Sequence, residues 1–428
     1  MNILFKNYSF ILKGRRRGSA STQSWDSFRT LPPRKSLVLL TLIFVLVLPG
    51  MTLAQTSTVQ PRIAARVDDA VLTTLRGNTH PLARAEFDQG EAPSSLALDH
   101  MLLVLKRSPE QEAALEALLA QQQDKSSPNY HNWLTPEQFG QEFGPSDQDI
   151  QVIASWLQSH GFQNVSVSNG RTTIDFSGTA GQVQTAFHTA IHRYVLAGGE
   201  EHWANAGDPQ IPTSLVSVVA GVDSLNNFLR KPMHHAGGVV QRSSATGKFA
   251  RVSPEFTFGP FQNGCNGTNT KCYGIGPGDF ATIYNIPPTV NGSVAGTGQT
   301  ISIVSDSDIF ASDVAQFRSA FSLPAINFNQ IETGTDPGVV FDDGNGDELE
   351  AIVDVEWSGA VAPGATIDLV VSPSTASTFG GDTSAAYIIN CQTTGPNCPV
   401  AVPASILASS YGDCELALGT TGNQFYNT

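Results

Sequence analysis

Five carboxylates crowd the stretch GDELEAIVDVEWSGAVAPGA at residues 346–365: Asp347, Glu348, Glu350, Asp354 and Glu356. They are interleaved with Leu349, Ile352, Val353, Val355 and Trp357. At about 100° per residue, Asp347, Glu350 and Asp354 fall within an arc of roughly 60° on a helix. Apolar residues take much of the remaining circumference. A helix covered on most sides, with one acidic stripe, suits the wall of a site better than an open surface. Ionised carboxylates at i and i+4 repel by about 0.2–0.5 kcal/mol even on an exposed helix. When such a pair is partly buried, it titrates as a coupled unit that shares a proton. A carboxylate can then serve as general base in acid, where histidine is already protonated. A calcium loop is the competing chemistry, because Asp343, Asn345 and Asp347 alternate as EF-hand ligands do. That pattern demands glycine at position 348 and meets Glu348, so the motif fails and no metal ligand is assigned.

The elements around the acidic helix read as alternating strands and helices. QTISIVSDS, NQIET, ATIDLVVSP and ASILASSYG are apolar strands, and DVAQFRSAFSL is a helix. This alternation predicts a parallel sheet with helices on both faces. Upstream, LALDHMLLVLKRS reads as a strand, and Ser108 and Thr135 cap the helices that follow. A third helix carries Ile150, Ile153, Trp156 and Leu157 on one face and ends at Gly161. NVSVS and TTIDFSG are expected to form a hairpin across Asn169-Gly170. The expected architecture is an α+β region of ferredoxin-like type, an antiparallel sheet with helices, followed by part of an α/β parallel-sheet domain.

Charge narrows the partners. The net charge is −14, and from residue 301 onward Arg318 is the lone basic residue against sixteen Asp plus Glu. Nucleic acid is excluded as a partner of that half, since phosphate binding needs the opposite sign. Residues 1–35 instead carry eight Lys plus Arg against Asp26 alone, and LVLLTLIFVLVLPG follows. A basic segment, a short apolar run and small residues at Thr52 and Ala54 describe a secretory signal over residues 1–55. The run is short for a membrane span, which needs about 20 residues. Any membrane contact is therefore expected through this signal or anchor segment, and the protein is expected to be secreted, extracellular or periplasmic. Export gives the cysteines meaning. Cys265 with Cys272, and Cys391 with Cys398, each bracket six residues rich in turn formers and are disulfide candidates; Cys414 is left over.

SPNYHNWLTPEQF at 126–138 and GFQNVSVSNGRTTIDFSGTAGQVQTAFHT resemble the activation prodomain of the pro-kumamolisins. GPGDFATIYNIP, the acidic stretch and ASILASSYGDCE resemble, in order, the catalytic domain of the sedolisins, or serine-carboxyl peptidases. The resemblance runs over roughly residues 95–428 and implies a subtilisin-like fold in which a glutamate, oriented by an aspartate, serves the nucleophilic serine. It assigns the glutamate to Glu350 and the aspartate to Asp354. Ser410, Tyr411 and Gly412 match the edge that pairs with a substrate backbone. The same resemblance implies an oxyanion aspartate and a serine in motifs that these 428 residues do not contain. A calcium site is expected C-terminal to them, with no cofactor in this chain. The implied organisation is a lead-in at 56–93, a prodomain at 94–228, an exposed processing linker at 229–256 and the first part of a peptidase domain at 257–428. The implied function is the secreted zymogen of an acid-acting serine-type endopeptidase, inactive as it stands. Peptides or proteins are its substrates, and the prodomain is its intramolecular partner. A non-enzymatic secreted inhibitor or interaction protein is the alternative. Asp306 and Asp308 read as turn residues.

Overall fold

The computed structural model describes residues 59–427, apart from 224, 233–239, 243–248, 252–275, 291, 341–345 and 396–397. The signal segment, most of the linker, and the Cys265 and Cys272 pair lie outside the described residues.

The first region is built on four strands: β1 (Ala97–Leu105), β2 (Gln163–Val167), β3 (Thr173–Thr179) and β4 (Val219–Asp223). They lie in the order β2-β3-β1-β4, all antiparallel. Helices α1 (Pro109–Gln123), α2 (Pro136–Phe143) and α3 (Asp147–Ser159) connect β1 to β2, and α4 (Ala180–Phe187) follows β3. The connectivity and strand order are those of a ferredoxin-like sheet. The caps anticipated from sequence are present: Ser108 and Thr135 each form a capping box, satisfying backbone N–H groups that a helix start leaves open. Gly161 follows α3 at φ 83°, a conformation that costs glycine least. Ile153, Leu157, Ile174, Phe176, Val183 and Phe187 are fully buried between α3, α4 and the sheet.

Two details extend the sequence reading. β2 and β3 form the expected hairpin, with Asn169-Gly170 at the centre of a turn closed by the Arg171 N–H on the Ser168 carbonyl at 2.8 Å. The Ser168 hydroxyl completes the loop by accepting from the N–H groups of Thr172 and Thr173, at 3.1 Å each. Arg171 takes the left-handed conformation there, at φ 53°. The lead-in segment before residue 94 is also tied into this region. Leu72–Thr74 pairs with Gln210–Pro212, Asp88–Glu91 pairs with Ile191–Val195, and Ile63 and Leu75 are buried in the core.

The second region holds β6 (Thr300–Ser305), β7 (Asn327–Glu332), β8 (Thr366–Val371) and β9 (Ile406–Ala408), parallel throughout in the order β7-β8-β6-β9. Side-chain alternation divides its core. Ile303, Ile367, Leu369 and Val371 pack with Ala351, Ile352 and Val355 of α7 (Asp347–Val361). Val304, Val370 and Ile331 pack on the other face with Ile388 of α8 (Gly380–Asn390). Helices therefore cover both faces, as the apolar strands implied.

The regions meet along α9 (Glu415–Tyr426), a helix broken at Gly419, which packs on β4 and β1. Leu102 and Val104 are buried although they point away from the α3–α4 face, which explains why Met101–Leu105 is continuously apolar. Gly221 of β4 permits the approach: a Cβ there would lie 2.0 Å from Thr421 Oγ1. Hydroxyls of Thr375 and Thr378 donate to the carbonyls of Asp99 and His100, at 3.1 and 2.8 Å, fixing the same interface.

Candidate active site

The acidic stretch is the helix it was expected to be, running from Asp347 to Val361. Its first turn carries Asp347, Glu348 and Glu350, where the unpaired N–H groups and the helix dipole favour negative charge. That effect accounts in part for these three. It does not reach Asp354, one turn further in. Glu350 is 5 % exposed and Asp354 half-buried, so the pair is set into the protein rather than displayed to solvent.

The two-residue strand β10 (Tyr411–Gly412) runs beside the helix. Alternation along it sends neighbouring side chains to opposite faces. The Ser410 hydroxyl donates to Asp354 Oδ1 at 3.0 Å, tying this edge to the acidic helix. Tyr411 turns the other way, its ring 4.9 Å from that of Phe379 and its hydroxyl donating to Asp306 Oδ1 at 3.4 Å. Burial, reinforced by Asp306, Asp347 and Glu350, pushes the Tyr411 phenol up and keeps it neutral. Glu350, Asp354, Ser410, Tyr411 and Gly412 are thus brought into one neighbourhood.

Asp306 is the residue that sequence reading missed. It is not a plain turn residue: it is 6 % exposed and accepts from both Tyr411 and Ser374, the latter at 2.8 Å. Its position just past the end of β6 was the available signal, because open α/β sheets build sites at the carboxyl ends of their strands. Asp308 is buried as well. With Glu332 and Asp336 it forms the one group among the described residues whose carboxylate oxygens lie close enough to share a metal ion, within 4.8 Å of one another. Cys391 and Cys398 are joined as a disulfide across the turn after α8, and Cys414 is an exposed thiol.

The edge strand is already paired. Lys231 and Pro232 form a short strand, β5, antiparallel to β10, with Lys231 opposite Gly412 and Pro232 opposite Tyr411. The chain leaving the first region therefore lies along the edge that the sequence marked for a substrate.

Residues 87–228 match the family described as the pro-kumamolisin activation domain. Sedolisin from Pseudomonas sp. (strain 101) is 30 % identical over 250 residues, which are 58 % of this chain and 38 % of that protein. The chain is thus a relative of the sedolisins and kumamolisins. Xanthomonalisin from Xanthomonas sp. (strain T-22) is 28 % identical over 296 residues, 67 % of this chain and 33 % of that protein. Kumamolisin from Bacillus sp. (strain MN-32) is 24 % identical over 343 residues, 80 % of this chain and 55 % of that protein. The chain spans from a third to about half the length of these curated relatives. It is a relative of the serine-carboxyl peptidases that carries a pro-kumamolisin-type activation domain.

Proposed function

We propose that the chain is the prodomain and the leading part of the catalytic domain of a secreted, acid-acting endopeptidase held as a zymogen. In this reading Glu350 takes the proton of the nucleophilic serine and Asp354 fixes its orientation. Ser410, Tyr411 and Gly412 carry the substrate backbone as an added strand. The basic and apolar opening segment supports export. The observation that carries the reading is β5: an extended segment of the chain itself lies antiparallel on Tyr411–Gly412, next to the helix of Glu350 and Asp354. A peptide bound by strand addition would occupy the same edge through the same backbone groups. The linker is then both plug and first target, and leaves the edge when it is cut within residues 229–256.

The test uses the natural gene product as its host makes it, with a denatured protein as substrate at acid pH. A positioned general base contributes about 10²–10⁴-fold, so Glu350→Gln should lose at least a hundredfold in turnover while remaining folded and secreted. Undiminished turnover by Glu350→Gln would remove the proposed base.

A further inference from the structure

We propose that Asp382, Phe379 and Tyr426 form a subsite of the cleft for the arginine side chain of a peptide substrate, filled in this chain by Arg230. The inference rests on the reading of β5 as a substrate-like strand and adds what that strand must carry. Residues facing each other in an antiparallel pair share a face, and alternate residues return to it. Pro232 faces Tyr411, so Arg230 comes back to the face on which Tyr411 packs against Phe379. The contacts agree. The Arg230 guanidinium lies 5.9 Å from the Phe379 ring centre and 4.9 Å from that of Tyr426. Its Nη1 forms an ion pair with Asp382 Oδ2 at 2.6 Å, and the Tyr426 hydroxyl donates to the other oxygen, Oδ1, at 2.5 Å.

The acid and the two rings belong to the second region, while His80, Asn226 and Phe228 of the first help line the cavity beside Arg230. Among the described residues, the ion-pair partner from the first region is Asp223, which accepts from Nη2 at 3.4 Å and would depart with the prodomain. Asp382 would remain, 3 % exposed at the start of α8. A buried carboxylate that loses its cation is costly, and it calls for another cation or a proton. Among the described residues of the second region no other basic side chain pairs with Asp382. Its single arginine from residue 301 onward, Arg318, is engaged through Nε with the carbonyl of Pro324. The pocket's shape also selects among cations. A planar guanidinium can lie against aromatic faces while meeting a carboxylate, whereas an ammonium is a compact and strongly hydrated charge. Lys231, on the alternate face, is exposed and needs no such pocket.

The test uses the intact chain bearing Arg230→Ala, which vacates the pocket. The probes are the labelled pentapeptide of residues 228–232 and its analogue with glutamine in place of arginine. The arginine peptide should bind at least tenfold more tightly, and adding Asp382→Asn should abolish the difference. As a check independent of peptide competition with the linker, ethylguanidinium should raise the melting temperature of Arg230→Ala more than ethylammonium does. Equal binding of the two peptides, or of neither, with no preference for guanidinium, overturns the subsite. The underlying reading has a separate test in the wild-type chain at neutral pH. An arginine-directed protease should cut the Arg230–Lys231 bond far more slowly than the same bond in the free peptide. Fast cutting there removes the substrate-like strand itself. A protected bond with no arginine preference removes only the subsite.

Discussion

The two regions treat their carboxylates in opposite ways. In the first, Asp88, Glu110, Asp124 and Glu201 all sit below the ordinary carboxyl range. For Glu110 and Asp124 the leading cause is a backbone N–H, and for Glu201 it is Arg193. For Asp88, burial pulls upward and is outweighed by the Gly90 N–H and by His192. In the second region, Asp308, Glu348, Glu356, Asp368 and Asp382 all sit above that range, and burial is the leading cause for each. The difference follows from the supply of donors. The first region pairs its acids with arginines, histidines and helix or turn N–H groups, whereas the chain from residue 301 onward has one arginine for sixteen acids. For these carboxyls, acid removes favourable interactions in the first region and relieves burial in the second. His100, raised by its hydrogen bond to Asp175, runs the other way in the first. A carboxyl held low in the fold stabilises above its unfolded value and loses that contribution as pH falls. A carboxyl held high is stabilising below its unfolded value and loses that contribution as pH rises through its folded value. Opposite responses of carboxyls in the two regions would suit the proposed zymogen released by acid.

The largest expected effects come from the two cores. Phe187→Ala should cost about 3–5 kcal/mol and move acid unfolding of the first region to higher pH, followed by intrinsic fluorescence during pH titration. Leu369→Ala should cost about 2–5 kcal/mol in urea but leave the first region's acid transition nearly in place. If both substitutions shifted that transition equally, the regions would be one acid-sensing unit and the contrast would fail. A smaller effect isolates one titrating group. Burial, Asp313 and Glu348 push Glu356 up to about 8. Its contribution should be present below about pH 4.5 and fade towards pH 8. Since Glu356 is only partly buried and solvent screens it, the loss should be about 1 kcal/mol. Glu356→Gln should flatten that stretch of the stability curve, and an unchanged slope would place the acid dependence elsewhere. Smallest, Ser108→Ala should cost about 1 kcal/mol by removing the cap of α1, with no change in the pH profile.

What could be read from the sequence divides along physical lines. The helix starts were legible because Ser108 and Thr135 act on backbone groups two or three residues away. The parallel sheet was legible because Ile301–Ser305 and Ile367–Val371 carry apolar side chains on both faces, Ile303 and Leu369 on one and Val304 and Val370 on the other. The acidic helix could be placed because Glu350 and Asp354 share a face by spacing alone. The pairing of β5 with β10 was hidden, since two residues leave no periodic trace and their partners are some 180 positions away. Asp306 was hidden for a related reason. A buried aspartate and a turn aspartate look alike until Tyr411 and Ser374 arrive from other elements. The Asn169-Gly170 turn was legible, but not the part of the loop that Ser168 organises through its side chain.

The most direct measurement is the first-order rate of linker cleavage within residues 229–256 as a function of pH, in the natural product and in Glu350→Gln and Glu356→Gln. Acid-triggered cleavage should proceed in the wild type and in Glu356→Gln and be lost in Glu350→Gln. Cleavage at the wild-type rate in Glu350→Gln, at every pH, would contradict the assignment of this helix as the proton-accepting part of a peptidase.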